Sequence, residues 1–202
     1  MLAKEFEIKN LGSIRYFLGM EFGSNFVSQI KYTIDLLKET GMLGSKPSKT
    51  PIELGDKKRM FEGNPIDKGR YQELVGELIY LSHTRSDIAF AVCLVSQYMH
   101  DPCQGHLNAI YRIMRYCTQT LGKDLFYQKT TERKVEVFTD VDWLGSVDDI
   151  KPTSGYCTMV CGNVVTWQSK KQIVVTRSST EAEYRAIAHG VCEEIWIKRL
   201  LE

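Results

Sequence analysis

Residues 134–143, Lys-Val-Glu-Val-Phe-Thr-Asp-Val-Asp-Trp, alternate apolar and polar side chains with period two. That is the signature of a half-buried strand. Two further strand-like stretches follow, Gly155 to Cys161 and Val164 to Ser169, joined by the dipeptide Gly162-Asn163. A two-residue link permits only an antiparallel return. Ser178-Ser179-Thr180 then opens a long helical pattern that runs to Glu202. Residues 131–202 are therefore expected to form a three-stranded antiparallel meander with one long helix.

The preceding part reads differently. Ile14 to Phe22 is aromatic-rich and predicts a strand, and Gly23-Ser24-Asn25 a turn into Phe26-Val27-Ser28. Lys31 to Thr40 has helical spacing at Tyr32, Leu36 and Glu39, with Gly41 as its C-terminal cap. Residues 45–64 carry Pro47, Pro51 and the basic run Lys57-Lys58-Arg59 and read as a linker or surface loop. Three helices are expected next. Tyr71, Leu74, Val75, Leu78 and Ser82 share one stripe. Ile88, Val92 and Val95 lie on a second helix capped by Asp87, and His106, Ile110, Ile113, Met114 and Cys117 on a third. The expected fold class is α+β, with units at 1–52, 53–130 and 131–202.

Charge excludes one class of function. Of the 202 residues, 26 are Lys or Arg and 25 are Asp or Glu. Neither half is a basic block of the kind that binds nucleic acid by charge alone. Residues 131–202 hold 11 acidic and 9 basic side chains. The longest apolar run, Ile88 to Val95, is far short of the roughly 20 residues of a membrane span. Six cysteines occur without a Cys-x-x-Cys, and Cys157 and Cys161 on one strand stand about 13 Å apart, beyond disulfide reach. The expectation is a reduced, intracellular chain with no membrane partner.

The candidate chemistry lies in the carboxylates. Asp140 and Asp142 point to the same face of their strand, an arrangement served either by a divalent cation or by solvent. Glu183 shares a helical face with Ile187 and lies near Val191 and Ile195, so it is expected on the side that packs against the sheet, with Glu181 opposite. Thr180-Glu181-Ala182-Glu183 also reads as a capping box, so a structural and a chemical role compete for Glu183. Ser146-Val147-Asp148-Asp149 echoes the Asp-Asp turn of polymerase sites but sits in a polar loop and is read as surface.

In order along the chain, Asn10-Leu11-Gly12 through Tyr16-Phe17-Leu18-Gly19, then Gln29 to Gly41-Met42, then Tyr71 to Asp87-Ile88 and Arg112 to Tyr116 form one motif series. Phe138-Thr139-Asp140, Thr153-Ser154-Gly155-Tyr156, Ser169-Lys170-Lys171-Gln172 and Ser178-Ser179 through Glu181-Ala182-Glu183-Tyr184 continue it. This series resembles the Pol polyprotein of copia-type retrotransposons, from just after the polymerase active site into the RNase H domain. The resemblance implies a primer-grip-like hairpin, a helical thumb and connection region, and the start of an RNase H-like fold. It implies RNA-directed DNA polymerase and RNase H ancestry, with magnesium as cofactor and an RNA–DNA hybrid as partner. Catalytic and metal-binding roles fall on Asp140 and Glu183, with Asp142 as a further metal ligand. Hybrid contacts fall on Lys170, Lys171, Arg177 and Ser178. The polymerase Asp-Asp turn and the third RNase H carboxylate have no counterpart here. The isolated chain is therefore expected to be inactive, either as a hybrid-binding or an inert remnant, with other Pol segments supplying the strand that pairs with residues 134–143.

Overall fold

The computed structural model describes residues 15–53, 60–142 and 151–202. The run Lys57-Lys58-Arg59 and the loop Ser146 to Asp149 lie outside them, as do Asn10-Leu11-Gly12 and Trp143. Four helices build the first layer: α1 (Ile30–Glu39), α2 (Lys68–Leu81), α3 (Ser86–Ser96) and α4 (Gln104–Gln119). Each buries one stripe at three- and four-residue spacing. Leu36 and Leu37 of α1 meet Leu74, Leu78 and Leu81 of α2, Ile88, Val92 and Val95 of α3, and Ile110, Ile113 and Met114 of α4. Full burial of one such side chain is worth about 1.5–3 kcal/mol.

The helix ends are set by local chemistry. Asp67 accepts from the Arg70 N–H at 2.6 Å and starts α2. His106 Nδ1 accepts from the Cys103 N–H at 3.0 Å and starts α4. Gly41, at φ 67°, ends α1, with its N–H on the Lys38 carbonyl and that of Met42 on the Leu37 carbonyl. Asp87 departs from the expected cap: α3 has Arg85 at its N-cap position, and the Asp87 carboxylate turns instead to the Arg85 guanidinium.

A small antiparallel sheet joins the start of this layer to its exit. Its order is β1 (Tyr16–Phe17), β2 (Met20–Phe22), β3 (Phe26–Ser28) and β4 (Leu125–Phe126). The single strand expected over Ile14 to Phe22 is two strands with a tight turn at Leu18-Gly19. Both turn residues have positive φ, 49° and 78°, as a two-residue hairpin turn requires. The Tyr80 hydroxyl donates to the Leu18 carbonyl at this turn.

The second sheet has the expected meander order, β5 (Val135–Asp142), β6 (Thr153–Val160) and β7 (Asn163–Lys171). The β6–β7 turn sits one residue earlier than expected, at Cys161-Gly162 (φ 54° and 74°), and Asn163 pairs with Val160. Helix α5 (Ser179–Leu201) lies over β5 and β6 on one face, and α3 meets β7 on the other. Trp167 Nε1 donates to the Ser82 carbonyl at 3.0 Å, and Lys171 Nζ to Gln97 Oε1 at 3.0 Å, tying the sheet to the helical layer.

The face of α5 that meets the sheet differs from expectation. Ala182, Ala186, Gly190 and Ile197 are buried, whereas Ile187, Val191 and Ile195 are each nearly half exposed. A Cβ on Gly190 would stand 2.6 Å from Thr139 Cγ2 and 3.0 Å from Val137 Cγ1. Along Ala182, Ala186 and Gly190 the helix approaches so closely that only small residues fit, and Ile187, Val191 and Ile195 are displaced to its flank.

Candidate functional site

Strand β5 supplies the two aspartates. Val137 and Thr139 face α5, so alternation turns Phe138, Asp140 and Asp142 to the opposite face. Asp140 and Asp142 are both exposed there. Asp140 is in register with Gly155 of β6, and Gly155 with Ser169 of β7. Asp142 is in register with Thr153, which faces Lys171.

Glu183 stands exposed in the first turns of α5, off the buried stripe, which corrects the expectation that it packs against the sheet. The capping question is also resolved. Ser178, not Thr180, is the N-cap, and its hydroxyl accepts from the Glu181 N–H at 3.1 Å. Glu181 returns its carboxylate to the Arg177 N–H at 3.0 Å and to Arg185 at 3.0 Å. The Arg177 N–H first, then Arg185, hold Glu181 below its ordinary carboxylate value. Capping thus falls on Glu181. Glu183 makes no hydrogen bond or ion pair among the described residues.

The residues expected to contact a hybrid do not form one patch. Lys170 and Lys171 are neighbours on β7 and so point to opposite faces: Lys170 is exposed on the α5 side, and Lys171 reaches Gln97 of α3. Arg177 is exposed, and the Ser178 hydroxyl is engaged as the helix cap. Ser178→Ala is expected to destabilise the protein by about 1 kcal/mol through loss of that cap. Urea unfolding would check it, and an unchanged midpoint would refute the capping assignment.

A magnesium site requires several converging oxygen donors. Among the described residues no group of three or more His, Cys, Asp or Glu side chains could hold a metal ion. Asp140 and Asp142 offer two carboxylates on one face. These residues alone do not fit the ion, and no step is derived through it. Thiol chemistry is equally unsupported. All six cysteines are free, and burial pushes Cys117 up to about 11 and also raises Cys93 and Cys157.

Two features have little signature in sequence. The Arg85–Asp87 pair shows only as a two-residue spacing at the start of α3. The cleft between β7 and α5 depends on which face of α5 is buried, and the large apolar residues of that helix mark the wrong one.

No family model matches the chain, and no solved structure matches it. It is 40% identical over 99% of its length to the retrovirus-related Pol polyprotein from transposon RE2 of Arabidopsis thaliana. It is 35% identical over its whole length to the retrovirus-related Pol polyprotein from transposon TNT 1-94 of Nicotiana tabacum. The chain spans 14% and 16% of the length of these two relatives. It is also 37% identical, over 96% of its length, to an uncharacterised mitochondrial protein of Arabidopsis thaliana, of which it spans 83%.

Proposed function

Because the chain belongs to the retrovirus-related Pol polyproteins of copia-type transposons, we propose that residues 131–202 are part of an RNase H-like unit that engages RNA–DNA hybrids and does not cleave them unaided. The observation that carries this reading is the division of labour in α5. Glu181 takes the capping role, and Glu183 keeps an uncommitted carboxylate near the start of the helix that lies over β5. Asp140 stands exposed on that same strand. One acid on a strand and one early in the helix that lies over it are what phosphodiester hydrolysis of this kind uses, with magnesium as the cofactor of the complete enzyme; here Asp140 is turned to the face of β5 away from α5, so the two acids do not converge.

Absence of cleavage follows from count. Two-ion chemistry needs more carboxylates than Asp140, Asp142 and Glu183 bring together here. Further ligands would come from other Pol segments. The exposed flank of α5, with Ile187, Val191 and Ile195, and the unpaired side of β5 support such a partner. An open strand edge beside apolar surface is a site for pairing with another chain.

The test is incubation of the purified chain with a labelled RNA–DNA hybrid, with and without magnesium, alongside Asp140→Asn. The expected result is no cleavage by either protein, with hybrid binding that weakens as salt rises, since phosphate contacts release counterions. Magnesium-dependent cleavage that Asp140→Asn abolishes would overturn the inactivity of the chain. Absence of binding at low salt would overturn hybrid engagement.

A further inference from the structure

A cleft of about 500 Å³ opens between β7 and α5. Helix α5 covers β5 and β6, which leaves the ledge of β7 beside it uncovered. Lys170 rises from this ledge, and Arg185 and His189 line the opposite wall. The ionisable side chains at its lining are Tyr156, Lys170, Lys171, Arg185 and His189, with no carboxylate among them. This is notable because residues 131–202 hold more acids than bases. Two carboxylates stand just outside it, Glu181 on Arg185 and Glu193 on the Tyr156 hydroxyl.

The Lys170 ammonium and the His189 imidazole are exposed and make no hydrogen bond or ion pair among the described residues. Among the described residues Arg185 is held by Glu181 alone, as an exposed pair one helical turn apart. An exposed pair of this kind is weak and is readily exchanged for a charge-assisted phosphate contact. The end of the cleft is organised by Gln172. Its Nε2 donates to Ser154 Oγ at 2.5 Å and to the Ala182 carbonyl at 3.1 Å. Its Oε1 has no donor partner, so one fixed acceptor is left over. Next to it Ile173 and Val174 present exposed apolar surface.

A cationic wall, a spare acceptor and an apolar end within one cleft of this size describe a small molecule with a phosphate at one end and a less polar body. We infer that the cleft between β7 and α5 binds a phosphate monoester of nucleotide size, with the phosphate between Lys170 and Arg185 and the body toward Ile173 and Val174. Inorganic phosphate fills only the cationic half. The inference does not depend on hybrid engagement, because Asp140 and Asp142 lie on the other face of the sheet.

The same chemistry is presented by a free nucleotide and by the 5′-phosphoryl end of a strand. Amide NMR spectra of the full chain would be followed during titration with adenosine monophosphate, adenosine, inorganic phosphate, and a short single strand with or without its 5′-phosphate. The expected result is shifts around Lys170, Gln172, Arg185 and His189 with adenosine monophosphate at millimolar concentrations. Lys170→Gln and Arg185→Gln should each weaken binding about fivefold, the loss of one charge-assisted contact. Both positions are exposed, and circular dichroism would verify their fold. Response to adenosine monophosphate assigns the free nucleotide as the source. Response only to the 5′-phosphorylated strand assigns a strand terminus, and either result upholds the site. Equal binding of adenosine, unchanged affinity in both variants, or no response to any phosphate probe overturns it. None of these outcomes depends on hybrid cleavage or binding.

Discussion

Asp87→Ala is expected to destabilise the chain by about 3 kcal/mol, the low end of the range for stranding one partner of a buried ion pair. Arg85 is only 5% exposed, and its guanidinium donates to both carboxylate oxygens of Asp87 at 2.9 Å. It also donates to the Thr120 carbonyl at 3.2 Å and to Thr120 Oγ1 at 2.6 Å. Tyr116 completes the cluster by donating its hydroxyl to Asp87 Oδ2 at 2.9 Å. Two elements meet here: the start of α3 and the end of α4. Removal of the carboxylate leaves a guanidinium buried among groups that cannot neutralise it. The low end is chosen because Asp87 is itself 28% exposed, and water relieves part of the loss.

Urea unfolding of the wild type, Asp87→Ala and the double variant Arg85→Met/Asp87→Leu would test this. The double variant should recover most of the lost stability, because two apolar side chains leave no charge to desolvate. A single variant within about 0.5 kcal/mol of wild type, the usual scatter of surface substitutions, would show that the cluster is not a clamp. The pH dependence has a definite sign. Burial pushes Asp87 up, but the Arg85 hydrogen bonds and charge and the Tyr116 hydroxyl outweigh it and hold the carboxyl below its ordinary value. A depressed folded value stabilises above the unfolded value of about 3.9 and is lost as pH falls through the folded one. Wild-type stability should therefore decline below about pH 4 more steeply than that of the double variant.

The helical layer was legible because its buried stripes use large side chains at regular spacing. Tyr71, Leu74, Val75 and Leu78 announce α2 and fill its core in the structure. The meander was legible from alternation and short links. Two physical facts hid the rest. Aromatic residues favour a strand equally whether there is one or two, so the break at Leu18-Gly19 was signalled by a single glycine. A close helix–sheet approach selects small residues, whereas a reading by hydrophobicity selects large ones. The stripe of Ile187, Val191 and Ile195 therefore drew the assignment that belongs to Ala182, Ala186 and Gly190. The same error carried Glu183 to the wrong side. The cap misled for a related reason: Ser178, Ser179 and Thr180 are all good N-caps by type. Only the hydrogen bonds of Glu181 choose among them.

Gly190 is the position at which this close approach can be tested. Helix propensity alone makes Gly190→Ala stabilising by about 1 kcal/mol in a helix interior. Contact argues the other way. The added Cβ would meet Thr139 Cγ2 at 2.6 Å and Val137 Cγ1 at 3.0 Å. Both neighbours are β-branched and stiff at χ1, and both sit on β5, which α5 contacts more than any other strand. Alanine is therefore expected to yield no net gain. Gly190→Leu is expected to cost about 3 kcal/mol, the upper end for overpacking a filled contact. The loss should be local before it is global. Amides of β5 and β6 should exchange faster with solvent, while those of α2 and α4, in the separate helical core, keep their protection. A Gly190→Leu chain as stable as wild type, with unchanged exchange on β5, would mean that α5 does not rest on Val137 and Thr139, and the arrangement of the two acids would fall with that contact.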